Sequence, residues 1–207
     1  DLTITKDGQT QTIAPQTQTE VTAEQCQNGN VMTISCNPGN QWYLVNEDGV
    51  TSIGYEGTLE IWGEQQGLVL VNDIPMEYYL KRVVPSEMPR TYGAEALKAQ
   101  AVAARTFAMK HLTGELRCKS GHTICTDYAC CQAFLTTEQL RERWGSSFEN
   151  YYARIEAAVH ETEGLVLTSG GELVTALYHS SSGGRTENCE AVFAVALPYL
   201  VSVAVSY

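Results

Sequence analysis

Apolar and polar residues alternate along the first third of the chain, and then the period changes. "TLEIWGEQQGLVLV" alternates, breaks at a polar turn-rich step and resumes as an apolar run, which predicts strand, turn and buried strand. "NPGNQWYLVNEDGVTSI" sets Asp48-Gly49 between two strand-like runs, a hairpin signal. Residues 1 to about 74 therefore read as short strands. "PMEYYLKRVV" follows, with Pro75 suited to the first turn of a short helix. Over residues 91–111 the apolar positions Leu97, Ala101, Ala104 and Ala108 recur on one helical face. Alanine has the strongest helix propensity, and a small-residue face admits a close neighbour. "TTEQ" offers a capping box from Thr136 to Gln139 for a second helix starting near Thr136. A third, over residues 147–163, carries Phe148, Tyr152, Ile155 and Val159 on its stripe and stops at Gly164. "GLVLTSGGELVTALYHS" reads as strand, Ser-Gly-Gly turn, strand. The closing "PYLVSVAVSY" is strand-like with no turn after it and reads as a chain cut within its fold. Strands, then helices, then strands argue for α+β rather than a doubly wound sheet.

Composition narrows the function classes. The 207 residues are 43% hydrophobic and 18% charged, enough for one substantial domain, or one with an appendage. A net charge of −11 argues against a nucleic-acid partner, which needs clustered Lys and Arg. No run approaches the roughly 18 apolar residues of a membrane span, and no signal peptide stands at Asp1. The seven cysteines cannot all pair with one another. Cys118, Cys125, Cys130 and Cys131 crowd around His122, which suggests a metal site more than a disulfide framework. Cys26 and Cys36 stand apart and would staple a hairpin in an oxidising compartment.

Glu87 lies between Pro85 and Pro89, which are expected to hold the backbone extended or turned and so to aim the carboxylate. Val83, Val84 and Met88 would partly desolvate a carboxylate there, the condition that suits one for general-acid work. The plainer reading is an acid ahead of a helix, favouring its dipole. Lys98 and Arg105 are seven residues apart and share a helix face, whereas Gln100 lies on another side. They suit a cleft, or a solvated stripe. Zinc takes thiolate and imidazole ligands, usually four, and Cys118, His122, Cys125, Cys130 and Cys131 supply five candidates. Adjacent Cys130 and Cys131 are not expected to reach one ion together, so one reads as spare. The plainer alternative is a disulfide with free thiols. "YHSSSGGRTEN" is a polar, glycine-rich loop of the kind that binds ligands. Ser181 or Ser182 with His179 would make a serine nucleophile, but the flanks of a hydrolase elbow are missing.

Taken together, "NDIPMEYYLKRVVPSEMP" (72–89), "EALKAQAVAARTFAM" (95–109), "ICTDYACCQAF" (124–134), "TEGLVLTSGGELVTALYHSSSGGRTEN" (162–188) and "LPYLVSV" (197–203) resemble the stage II sporulation protein D family and its amidase-enhancer relatives. The likeness covers about residues 57–203, with 1–56 matching only as a variable strand-rich region. It implies one catalytic domain over 57–207 with a mixed or antiparallel sheet packed by a few helices, compact with the N-terminal strands. It also implies a lytic transglycosylase that cuts peptidoglycan between N-acetylmuramic acid and N-acetylglucosamine. Such enzymes leave anhydro-muramic ends and prefer strands stripped of stem peptides by an amidase partner. The implied setting is forespore engulfment, outside the cytoplasm, on the mother-cell membrane through an N-terminal anchor that this sequence does not include. The family's catalytic acid falls on Glu87. Its polar cleft falls on Lys98, Gln100, Arg105, Ser180, Ser181, Ser182, Gly183, Gly184 and Thr186. Its structural zinc ligands match Cys125 and Cys131, with His122, Cys118 and Cys130 competing for the remaining places. Cys130 stands where many members have His. A non-catalytic wall-binding or amidase-activating module is the alternative that the enhancer relatives imply.

Overall fold

A computed structural model describes residues 2–15, 17–26, 31–36, 40–45, 54–64, 67–119 and 121–205. The chain divides into two compact units, each built from two stretches of sequence. The first takes residues 1–90 and 133–156, the second residues 91–132 and 157–207. The architecture is α+β, with the main sheet in the N-terminal part.

In the first unit β1 (Leu2–Lys6), β2 (Gln9–Ile13), β3 (Met32–Cys36), β4 (Thr58–Glu64) and β5 (Gly67–Asp73) form an antiparallel sheet in the order β2-β1-β3-β4-β5. Alternation decides its two faces. Ile34 pairs with Ile4 on one side and Leu59 on the other, and Met32 pairs with Ile61. These residues, with Cys26 and Trp42, make the core of the sheet's inner face. Thr3, Thr5, Thr33, Ser35, Thr58 and Glu60 have the opposite parity, as expected of a sheet solvated on one side. Gly63 has a close neighbour: a Cβ there would lie 2.7 Å from the Ala23 carbonyl oxygen. A side chain at 63 would therefore collide with the 3₁₀ turn Ala23–Cys26. The apolar run in β5 is not the buried strand its sequence suggests. Leu68 and Leu70 are 38% and 40% exposed, because β5 is an edge strand. Trp42 pairs antiparallel with Tyr55 and stacks on it at 4.6 Å, while the Asp48-Gly49 turn lies outside the described residues.

Helix α1 (Met76–Glu87) starts just after Pro75 and buries Leu80, Val83 and Val84. Pro85 was expected to break regular structure, yet it sits inside this helix. Its fixed φ is a helical one, and in the last turn it costs the helix one N–H donor and crowds the carbonyl four residues earlier. Pro89 does end the helix: Met88, just ahead of it, is extended at φ −124° and ψ 143°. Helix α3 (Thr137–Trp144) opens on the expected capping box, with Thr136 and Gln139 bonding each other's backbone N–H. Arg82 is buried, with its guanidinium carbon 4.2 Å from the Tyr78 ring centre, and it donates to the Tyr152 hydroxyl. Tyr152 belongs to α4 (Phe148–Glu161), whose residues from 157 onward belong to the second unit.

The second unit is built on α2 (Ala94–Leu112). Leu97, Ala101, Ala104 and Ala108 are buried on one face, as their spacing predicts. Thr106 Oγ1 accepts the Leu167 N–H at 2.9 Å and ties the following segment to the helix. Two-residue strands β6 (Thr168–Ser169) and β7 (Glu172–Leu173) meet at Gly170-Gly171, whose φ of 61° and 91° suit a tight hairpin turn and favour glycine. A short helix α5 (Cys189–Phe193) follows. Among the described residues the terminal apolar run forms no strand beyond an isolated bridge from Ala204 to Arg185.

Candidate functional site

Glu87 is the last helical residue of α1, not a residue ahead of a helix. Its carboxylate therefore stands at the carbonyl end of α1, where the helix dipole opposes negative charge. What holds it is the backbone N–H of Ala133, which donates to Glu87 Oε1 at 2.7 Å. That contact was not visible in the sequence, since the two residues are 46 positions apart. Met88 is extended directly ahead of Pro89, so the second proline of the pair marks where the helix carrying Glu87 ends, while Pro85 lies inside it.

In the second unit Lys98 and Arg105 share a helix face, and that face meets the C-terminal end of α4. Lys98 Nζ bonds Glu161 at 2.6 Å and Glu95 at 2.9 Å. Both carboxylates hold its ammonium charged, well above the usual lysine range. Arg105 is 2% exposed. Its guanidinium donates to the Leu165 carbonyl at 3.0 Å and to the Val159 carbonyl at 3.4 Å, capping the end of α4. Gln100 is buried as well, and its side-chain nitrogen has no hydrogen-bond partner.

The serine-glycine loop is anchored at its far end. Gly184 and Thr186 bond the backbone of Val205 and Val203 at 3.0 and 2.9 Å, and Ser202 Oγ donates to the Thr186 carbonyl at 2.7 Å. Ser180, Ser181 and Gly183 are exposed, as is His179, whereas Ser182 is half-buried. Of the other acids nearby in sequence, Glu95 pairs with Lys98 and Asp127 accepts the Ala129 N–H at 2.9 Å within its own turn.

The sulfur cluster is the second centre. The Sγ atoms of Cys118, Cys125, Cys130 and Cys131 all lie within 4.8 Å of one another. Cys130 is 3.8 Å from both Cys118 and Cys131. Four sulfurs around one zinc at about 2.3 Å would be spaced by about 3.8 Å, the edge of that tetrahedron. The residues therefore fit a zinc ion. His122 is not in this group, and Cys118 is. Nor is one of the adjacent pair spare: the N–H groups of Cys130 and Cys131 both bond the Asp127 carbonyl, at 3.0 and 2.8 Å, and this turn brings both sulfurs to the cluster. The Lys119 N–H donates to Cys130 Sγ at 3.4 Å. Burial pushes the Cys125 and Cys131 thiols up, so these groups keep their protons until a cation replaces them. His111, at the end of α2, fixes the loop by donating from Nδ1 to the Thr123 carbonyl at 3.1 Å. Cys26 and Cys36 form no staple. Both are free thiols, with Cys26 in the core and Cys36 Sγ directed at the Asn40 carbonyl at 3.3 Å.

Comparison with known proteins places these residues in a lineage. The Stage II sporulation protein family, SpoIID, matches residues 64–169, a span that holds Glu87, Ala133 and the four cysteines. Stage II sporulation protein D of Bacillus subtilis is 40% identical over 134 residues, covering 64% of this chain and 39% of that protein. The protein of the same name from Bacillus amyloliquefaciens is 40% identical over 135 residues, again 64% of this chain and 39% of the relative. An amidase enhancer of Bacillus subtilis is 38% identical over 123 residues, 59% of this chain but 14% of the enhancer. The chain thus corresponds to about two fifths of the sporulation proteins it matches. With half its length inside the family match, the chain belongs to the SpoIID family of Stage II sporulation proteins.

Proposed function

We propose that this chain is the glycan-cleaving part of a longer sporulation protein: a lytic transglycosylase acting between N-acetylmuramic acid and N-acetylglucosamine of peptidoglycan. The observation that supports the reading most directly is the Ala133 N–H on Glu87 Oε1 at 2.7 Å, which orients one carboxylate inside the family span. Glycoside hydrolysis usually needs two carboxyl groups, because water or an enzyme group must attack the sugar. A transglycosylase needs one. Protonated Glu87 gives its proton to the glycosidic oxygen as the bond to the muramyl C1 breaks. The muramyl C6 hydroxyl then closes on C1, and its proton returns to the Glu87 carboxylate. The nucleophile is part of the substrate, so little entropy is lost in bringing it to the reacting carbon.

Ser180, Ser181, Ser182, Gly183, Gly184 and Thr186 are proposed to line the glycan's path with hydroxyl and backbone donors, together with Lys98, while buried Gln100 and Arg105 support that face from within. A zinc ion held by four thiolates has no open position for substrate, so its part is to cross-link the 118–131 loop. The sporulation relatives suggest engulfment as the setting. An extracytoplasmic location and an N-terminal membrane anchor outside this sequence go with that proposal, as does an amidase that first strips the stem peptides. No helix among the described residues is long and apolar enough to cross a membrane.

Digestion of denuded glycan followed by mass spectrometry tests the reading. Wild type is expected to leave anhydro-muramic ends and Glu87→Gln none; ends made equally well by Glu87→Gln would end the proposal. The similarity to an amidase enhancer favours a second reading, a non-catalytic module that binds wall glycan or an amidase. That reading expects such binding to survive Glu87→Gln, with no cleavage product from either protein.

A further inference from the structure

The segment that holds Glu87 meets α1 at two places. Tyr79, Val83 and Glu87 follow one another at four-residue spacing, so they lie along one ridge of that helix. Val83, in the middle, is fully buried. At one end of the ridge the Ala133 N–H donates to Glu87 Oε1 at 2.7 Å. At the other, the ring of the very next residue, Phe134, stacks on Tyr79 with centroids 5.8 Å apart and planes 23° apart. Farther along, the segment enters the α3 cap, where Thr136 and Gln139 exchange bonds at 2.9 and 3.3 Å. Thr137 Oγ1 adds a bond to Glu56 Oε1 at 3.4 Å. All of these residues belong to the first unit.

A lone hydrogen bond fixes a distance but lets the donor swing about it. Only φ and ψ of Ala133 separate the peptide plane that carries its N–H from the plane that ends at the Phe134 Cα. A fixed Phe134 ring therefore removes most of the freedom with which that N–H could turn away from Glu87. The capping box does not do this alone, because the torsions of Phe134 and Leu135 lie between it and the amide.

We propose that Phe134, seated on Tyr79, is a positioning residue for Glu87: the ring pair sets the direction of the Ala133 N–H and thereby the orientation of the carboxylate. The proposal deepens the functional reading above and rests on it for the role of Glu87, but the contact itself is read without any turnover.

Hydrogen exchange of the Ala133 amide, followed by NMR, is the first measurement. An aromatic pair contributes enough for about a 5-fold change, so Phe134→Ala is expected to exchange there about 5-fold faster than wild type. Phe134→Tyr keeps a ring and should restore the wild-type rate. Tyr79→Ala breaks the same pair from α1 and should match Phe134→Ala, so either variant can carry the test if the other does not fold. Ile34→Val, a mild loss of packing in the sheet core of the same unit, should leave the Ala133 rate as it is. Unchanged exchange in the alanine variants overturns the proposal. Equal acceleration by Ile34→Val does so too, as does failure of both alanine variants to fold, because the rings would then be serving the unit's stability and not an orientation.

Turnover of denuded glycan is the second. The alanine variants are expected to lose about 5-fold in kcat with KM unchanged, and Phe134→Tyr to recover it. A raised KM with kcat intact overturns the positioning role and makes the rings a platform on which a sugar stacks. If exchange responds as expected but wild type makes no anhydro-muramic ends, the positioning stands and the transglycosylase reading falls. If wild type makes those ends and exchange does not respond, the reverse holds.

Discussion

Arg105 offers the sharpest separation of a structural role from a ligand-binding one. It is 2% exposed, and its guanidinium bonds the Leu165 carbonyl at 3.0 Å and the Val159 carbonyl at 3.4 Å. Val159 also accepts from the Thr162 N–H and hydroxyl, at 3.3 and 3.2 Å, so it keeps partners if Arg105 is removed. The loss on changing Arg105→Met then falls mainly on the Leu165 bond, while the methionine keeps most of the apolar stem's packing. A hydrogen bond to a charged group contributes about 1.5–3 kcal/mol. For a chain of this size that is a fall in melting temperature of roughly 3–12 °C. Arg105→Lys is expected to recover only part of it, because a single ammonium cannot reproduce the planar fork. Differential scanning calorimetry reads the stability, and glycan binding by the same variants reads the other role. A variant that melts like wild type yet binds glycan poorly would refute the capping argument and move the guanidinium into the cleft.

Further consequences can be checked independently. One zinc per chain is expected by metal analysis; Cys118→Ser should lose it and His122→Ala should keep it, and the opposite pattern would replace Cys118 by His122 in the ligand set. Thr136→Ala removes the side-chain half of the α3 capping box and should cost about 1 kcal/mol in urea denaturation, with no change in zinc content. Burial holds His111 below its ordinary value of about 6.5, so the folded protein takes up that proton less readily than the unfolded chain. Its contribution is complete above about pH 6.5 and is lost as pH falls through the lower folded value. Urea midpoints of the zinc-loaded protein should therefore fall more steeply below about pH 6.5 in wild type than in His111→Gln, and parallel slopes would remove His111 as the cause.

The elements carried by local rules were legible in the sequence. Thr136 and Gln139 announce α3, the alanine face announces α2, and Gly170-Gly171 announces a hairpin, because each signal is a short-range steric or hydrogen-bonding preference. The misreadings share a physical cause. Pro85 reads as a breaker in sequence, but its torsion is helical and it sits in the last turn of a helix anchored by the buried Leu80, Val83 and Val84. Leu68 and Leu70 read as a buried strand because hydropathy does not say that β5 is at an edge. Spacing leaves Cys118 and His122 open because grouping depends on where a loop turns, and the turn rests on contacts such as Asp127 gathering the N–H groups of Cys130 and Cys131 and His111 holding the Thr123 carbonyl. Arg105 was placed on the correct helix face, but spacing could not show that the face meets the end of a helix.

Two unrelated features place Glu87. Pro89 marks where α1 stops, and so where on the helix the acid stands. The Ala133 N–H holds its Oε1 at 2.7 Å from a position 46 residues away. Moving the helix stop by one turn, or loosening the segment that carries Ala133, would move the carboxylate without touching the acid. A search for activity determinants confined to residues near Glu87 in sequence would therefore miss the amide that orients it.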